Sequence, residues 1–262
     1  MRIALGLEYA GEAFCGWQSQ RDACGVQDAV ERALGAIAGA TVGCVAAGRT
    51  DAGVHATAQV LHFDVEVERP QSAWVRGVNG HLPATVAVQW ARPVADGFHA
   101  RFVATGRHYT YLLANTAVRP ALLAHRIGWC HRPLDVDAIA AAIPALIGTH
   151  DFSAFRAADC QARSPVKTLA VASVARSGDT LRFEFSANAF LHHMIRNLVG
   201  ALIAVGSGRR PAAWIAELLA SRDRTRGAAT FMADGLYFTG VDYEAKWGLP
   251  ATRREIALPV SG

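Results

Sequence analysis

"AGRTDAGVHATAQVLHF", residues 47–63, sets Arg49 and Asp51 two positions apart on a turn bounded by Gly48 and Gly53. The stretch before it, "TVGCVAAG" (41–48), is predicted as a short strand, and "ATAQVLHFDV" (56–65) as the next one, with Val60 and Leu61 at its middle. Two charged side chains therefore leave one tight loop between two strands, where the backbone positions them and water reaches them. Aspartate beside glycine commonly makes a local turn with its own backbone. The neighbouring guanidinium adds a second reading, because it favours the ionised carboxylate and lowers its pKa. Such a group is a poor general acid at neutral pH and a good nucleophile, base or cation stabiliser. No second carboxylate accompanies it in this stretch, which disfavours a paired-carboxylate glycosidase.

Outward from this loop the periodicity is regular. "RIALGLEY" (2–9) alternates as a strand, and Val26, Val30, Ala33, Leu34 and Ile37 recur at helical spacing. "FCGWQSQ" (14–20) reads as a loop with exposed aromatics. A helix after Pro70 carries Trp74 and Val78, and "TVAVQWARPV" (85–94) closes this half as a strand. The order is β-α-β-β-α-β, the ferredoxin-like arrangement. Beyond it, "GRHYTYLLAN" (106–115) is a strand with Tyr109 and Tyr111 on one face. "DVDAIAAAIPALIG" (135–148) is a helix capped by Asp135, kinked at Pro144 and ended by Gly148. "VKTLAVASVAR" (166–176) and "TLRFEFSAN" (180–188) flank a hairpin turn. Two helices, 189–205 and 211–220, precede a last strand, "GLYFTGVDY" (235–243). The fold class expected is α+β, with two ferredoxin-like α+β subdomains sharing a continuous mixed, mainly antiparallel sheet and helices packed on it. The N-terminal subdomain, 1–104, carries the Asp loop; 105–246 form the C-terminal one, and 247–262 an irregular tail.

Bulk properties narrow the class. Hydrophobic residues are 52% and charged ones 18% of 262, enough for a sizeable core and against disorder. Only Lys167 and Lys246 are lysines, so 24 of the 26 basic residues are arginine, and the net charge is +4. Arginine forks onto phosphates and stacks on bases, so an anionic partner fits, as does a plain coding bias. The five cysteines show no CxxC pair, and their spacing fits neither a zinc site nor a disulfide framework. There is no HExxH or P-loop pattern. No signal peptide is visible, and apolar runs such as "LVGALIAVG" are too short to span a bilayer. A reduced, soluble, cytoplasmic protein is expected.

Three further elements point to a cleft. In "AFLHHMIRNLVGALIAVG" a broad apolar stripe is interrupted by His192, His193, Arg196 and Asn197, with the histidines one helical turn from Arg196. An arginine on so apolar a helix must be paired or sit at a cleft. The pairing is structural, or its carboxylate is Asp51. Arg107, Tyr109 and Tyr111 alternate on one strand face, which suits a cleft wall, and an aromatic beside cations is how proteins hold an unstacked base. His55 and His62 are acid–base candidates, although a lone histidine on an alternating strand is more often structural. His55 and Arg107 join the candidate substrate-binding set.

"GRTDAGVHA", "RHYTYLL", "FLHHMIRNLVG" and "GLYFTGVDY", in this order, resemble the motifs of the TruA-type tRNA pseudouridine synthases, or pseudouridine synthase I family. "FCGWQSQ", "VQDAVERAL" and "HDFSAFRAADCQARSPVKTL" are similar as well, so the resemblance spans roughly residues 3 to 244. One departure is "AATFMADGL" (228–236), where the family tends to have a Gly-Pro-Thr-Ala-Pro-like run. The resemblance implies the pseudouridine synthase fold and an isomerase converting uridine to pseudouridine at positions 38, 39 and 40 of the tRNA anticodon arm. It implies no cofactor, no metal, and a homodimer whose two subunits contact one tRNA. It implies Asp51 as the catalytic aspartate, Arg49 as the residue that helps extrude the base and then holds a phosphate or the aspartate, and Arg196 as the partner of Asp51. Tyr109 would stack on the uracil and Leu236 pack against it. The alternatives are a catalytically silent tRNA-binding protein or RNA chaperone of the same fold, and a hydrolase using Asp51 with His55. The latter lacks an oxyanion motif such as G-x-S-x-G.

Overall fold

The computed structural model of the chain describes residues 1–158 and 160–256. Asp159, and residues 257–262 of the tail expected over 247–262, lie outside the described residues. In chain order the elements are β1 (Arg2–Tyr9), α1 (Val26–Ala38), β2 (Cys44–Ala46), β3 (His55–Asp64), α2 (Val78–His81), β4 (Val86–Val94), β5 (Ala104–Ala114), β6 (Gly128–Trp129), α3 (Val136–Ala142), β7 (Gly148–Asp151), β8 (Val166–Ser177), β9 (Thr180–Ala187), α4 (Met194–Gly206), α5 (Trp214–Ser221) and β10 (Leu236–Tyr243). The fold is mixed α+β, as expected. Two compact units are present: Met1–Arg107 with Tyr237–Ile256, and His108–Leu236.

In the first unit the strands run β4-β1-β3-β10, with β2 beside β3. Ile3 to Leu7 of β1 are all buried, so both faces of this strand are covered. Leu5 lies opposite Leu61 of β3 and Ala91 of β4 in antiparallel register. One edge of β3 is shared between two partners. Cys44 to Ala46 pair with Phe63 to Leu61, whereas Tyr237 and Phe238 pair in parallel with His55 and Ala56. The loop over 47–54 leaves the sheet at this changeover. α1 begins where the Asp28 carboxylate accepts the Gly25 N–H at 2.9 Å, and ends at Gly39, whose φ of +74° places it in the left-handed region. The helix expected after Pro70 runs through a π-helical turn, Ala73–Gly77, before its α-helical end at Val78–His81. Trp74 packs edge-on against Phe63, 5.3 Å between ring centres. Past β10 the chain runs back alongside it, with Arg254 N–H on the Thr239 carbonyl and Val241 N–H on that of Thr252, both at 3.0 Å.

In the second unit the strands run β5-β9-β8-β7, with β6 parallel to β5. Leu181, Phe183, Phe185 and Ala187 of β9 are buried in strict alternation. The hairpin forms as predicted, Ser177 opposite Thr180. Asp135 caps α3 by accepting from Ala138 N–H at 3.0 Å, but the helix stops at Ala142. A 3₁₀ turn carries the chain through Pro144 in place of the kinked continuation expected. The helix predicted over 189–205 starts only at Met194, because His193 takes φ +60°. His192 therefore lies before the helix and His193 at its cap, so the helical spacing that set both beside Arg196 does not apply.

Candidate active site

The loop over 47–54 is held from inside by Thr50. Its hydroxyl is 2.8 Å from the Tyr9 hydroxyl, and its carbonyl accepts from Trp17 N–H at 2.9 Å. Burial pushes the Tyr9 phenol up to about 12, the hydrogen bonds to Thr50 and Gln59 offsetting part of this. Tyr9 is thus protonated at neutral pH; it accepts from Gln59 Nε2 at 3.4 Å and shares a hydroxyl–hydroxyl hydrogen bond with Thr50. Gln59 also donates to the Gly48 carbonyl at 2.8 Å. With Thr50 buried, its two neighbours turn outward: Arg49 is exposed and Asp51 half-buried. Val54 N–H closes the turn on the Asp51 carbonyl at 3.1 Å, and Gly53 takes the φ of +80° that the turn needs.

A second loop braces this one. A Cβ on Gly16, whose φ is +105°, would stand 2.8 Å from the Thr50 carbonyl, and a Cβ on Gly11 would stand 2.0 Å from that of Val54. Trp17 is 2% exposed, its ring 5.9 Å from that of Tyr9. The loop 14–20, expected to expose its aromatics, instead buries this one, because the Trp17 backbone is what docks Thr50. The loop is closed at its neck by a disulfide between Cys15 and Cys24, with Cα atoms 5.5 Å apart. This corrects the expectation of reduced, unpaired cysteines. The spacing carries no motif, but Cys15 N–H donates to the Cys24 carbonyl at 3.0 Å and brings the two side chains together.

Arg107 and His55 belong to the frame around the loop. The Arg107 guanidinium donates to the carbonyls of Arg101 at 2.7 Å, Ala104 at 3.1 Å and Ala47 at 3.2 Å. It thereby ties the start of β5 to the root of the Asp51 loop. His55 is 1% exposed, accepts Gly11 N–H on Nδ1 at 3.0 Å, and stacks on Tyr237 at 4.7 Å. The same Nδ1 lies 3.6 Å from the Glu12 carboxylate, so the ring is tied to the Gly11–Glu12 turn. Nothing in the sequence singles out Thr50, Tyr9 or Gln59 as the residues that hold the loop. They are ordinary strand and turn residues until the pairing of β1 with β3 brings them together.

The remaining candidates lie in the second unit. Tyr109, on β5, is 9% exposed and meets Phe190 edge-on at 5.1 Å. Arg196, half-buried on the first turn of α4, donates from Nε to the Phe231 carbonyl at 2.8 Å, and Phe231 N–H returns to the Arg196 carbonyl at 3.3 Å. Phe231 heads the segment that ends at Leu236, which is buried. Leu236 N–H donates to Ala233 O at 2.8 Å, and Tyr111 Oη to Met232 O at 3.0 Å. Gly235 has no room for a side chain: a Cβ would lie 2.1 Å from the Leu112 carbonyl. The departure "AATFMADGL" is therefore a strap laid over α4 and β5, its backbone fixed at Phe231, Met232 and Gly235.

A family model described as tRNA pseudouridine synthase matches residues 7–103 and 142–244. The chain is 61% identical to the tRNA pseudouridine synthase A of Thiobacillus denitrificans over 250 residues, 95% of this chain and 96% of the relative. It is 60% identical to that of Aromatoleum aromaticum over 259 residues, 99% and 98% of the two chains. With that of Methylobacillus flagellatus it shares 55% over 261 residues, 100% of each. A resemblance first carried by a nine-residue turn thus extends along the whole sequence, and the chain belongs to the tRNA pseudouridine synthase family.

Proposed function

We propose that this chain is an isomerase that converts uridine to pseudouridine at positions 38, 39 and 40 of the tRNA anticodon arm, with Asp51 as the reacting carboxylate. The observation that carries the reading is the Thr50 anchor. It locks the middle of the turn inward and leaves Arg49 and Asp51 presented on a rigid loop, which is what a catalytic group needs. A uridine in a stacked stem must be extruded before its glycosidic bond can be reached, at about a few kcal/mol. Stacking on Tyr109 returns about 1–3 kcal/mol, and arginine contacts to phosphate supply the remainder. Arg49 assists extrusion, Leu236 packs against the base, and Arg196 is the second catalytic cation. We assign Arg107 and His55 to positioning, since the Arg107 guanidinium donates to three backbone carbonyls around the loop's root and His55 Nδ1 accepts the Gly11 amide.

The bond from sugar C1′ to N1 breaks, the uracil turns, and C1′ joins C5. The C5 proton is released and N1 gains one, so no electrons enter or leave and the proposed chemistry needs no cofactor. An anionic oxygen held at the sugar stabilises the cation-like stage, as nucleophile or as base. The family resemblance supports a homodimer acting on the anticodon stem-loop. No helix of the described residues is long and apolar enough to cross a membrane, which is compatible with a cytoplasmic location. The test is tritium release from 5-tritiated uridine in unmodified tRNA, with carbodiimide mapping of the product. Asp51→Ala is expected to abolish release while tRNA binding persists. Turnover by that variant would refute the role of Asp51, and binding without turnover by the wild type would favour the silent tRNA-binding reading.

A further inference from the structure

Among the described residues Phe102 is the one exposed Phe, Tyr or Trp, with 75% of its surface open. A lone exposed apolar side chain is ordinary and calls for no explanation. This one differs in being held. Its ring lies nearly parallel to that of His99, 18° apart with centres 4.1 Å apart, and His99 in turn leans on buried His62 at 4.7 Å. His99 is fixed by accepting two backbone amides on Nδ1, from Arg101 at 3.3 Å and Phe102 at 3.2 Å. Burial, reinforced by the charges of Arg2 and Arg101, lowers its pKa and keeps the imidazole neutral. The amides of Phe102 and Val103 close the turn on the His99 carbonyl, both at 3.1 Å. Three aromatic rings thus form a short column whose outermost member faces solvent, with the Arg101 guanidinium 5.8 Å from its centre.

The column has a fixed relation to the loop that carries Asp51. Arg107 donates to the carbonyl of Arg101, within the Phe102 turn, and to that of Ala47, at the root of the loop. An open aromatic face with a cation at its side is suited to a nucleobase, which presents a π-face and brings a phosphate with it. We infer that Phe102, backed by His99 and flanked by Arg101, is a stacking platform for a second, unpaired nucleobase of the tRNA, distinct from the uridine that reacts. Such a platform fixes the register of the RNA on the protein while the target nucleotide is out of its stack.

The inference rests on tRNA being the substrate, and the experiment separates the two. Unmodified tRNA is prepared with 2-aminopurine at one unpaired position at a time, and binding and pseudouridine formation are measured with wild type, Phe102→Leu and Phe102→Trp. Phe102→Leu keeps an apolar side chain and loses the π-face. It is expected to raise Kd about 5- to 150-fold, the range of one lost base–aromatic stack, with kcat at saturation changed less than about twofold. Phe102→Trp should bind like the wild type. At one position fluorescence should be quenched by wild type and Phe102→Trp but not by Phe102→Leu. Arg101→Gln should lower the slope of log Kd against log salt by about one. If Phe102→Leu binds as wild type does, or no position shows ring-dependent quenching, the platform is refuted while wild-type turnover leaves the substrate standing. A change in sedimentation of Phe102→Leu would also overturn it, by showing the ring to be a contact between protein chains. A wild type that neither binds nor modifies tRNA removes both.

Discussion

A single residue with no reactive role decides how the charged turn is displayed. Thr50 points into the unit and is bonded at both its hydroxyl and its carbonyl, so the side chains on either side point away from it. His62 shows the same logic for a proton. It is 4% exposed and accepts Ala100 N–H on Nδ1 at 3.1 Å. Burial, helped by the nearby His99 and Arg2, lowers its pKa from 6.5 to about 4. The unfolded chain therefore takes up this proton at a higher pH than the folded one. The stability that neutral His62 contributes is complete above about pH 6.5 and is lost as pH falls toward about 4. Urea midpoints should drop across that window in the wild type and drop less steeply in His62→Gln. That variant should start about 1 kcal/mol lower at pH 8 if its amide holds Ala100 imperfectly. The sequence offered His62 and His55 as acid–base groups or structural ones. It could not choose, because only the fold shows that a backbone amide occupies each Nδ1.

At the scale of elements, α4 is organised around Asn197, which is 2% exposed. Its Nδ2 donates to the Phe155 carbonyl at 2.8 Å, while Oδ1 accepts from Thr230 at 2.7 Å and Arg224 at 3.0 Å. One side chain thus joins the helix to a 3₁₀ turn and to the strap that includes Phe231. Asn197→Leu would leave the Phe155 carbonyl unmatched in a buried setting, and chemical denaturation should register a loss of about 1–3 kcal/mol. The legible elements were those with unbroken period. β1, β9 and α1 were read to within a residue or two because alternation or helical recurrence runs their whole length. β6 and β7, two and four residues long, are too short to show a period. The start of α4 was misplaced because apolar recurrence continues back to Phe190, and no glycine or asparagine marks His193 as the left-handed residue.

For the molecule as a whole, the order of elements in the first half was readable and so was the turn that carries Asp51, since both are local patterns. The return of β10 to β3 was not, because residues 237–243 read as a strand without saying whose edge they join. The brace on the turn that carries Asp51 was hidden for the same reason: Gly16 and Trp17 meet Thr50 only in three dimensions. The Cys15–Cys24 loop that supplies this brace is fastened twice. Besides the sulfur bond, the backbone amides of Cys15, Val26 and Gln27 close its neck on the carbonyls of Cys24, Gly16 and Trp17, each at 3.0 Å. Reducing agents should therefore be nearly invisible to the rate of isomerisation. In denaturant, thiol titration should count three reactive groups before reduction, from Cys44, Cys130 and Cys160, and the full five after it, while turnover before and after stays within about a factor of two. The enzyme would then be indifferent to the oxidation history of its sample, and a large gain or loss of rate on adding dithiothreitol would show that the covalent fastening is the one that counts.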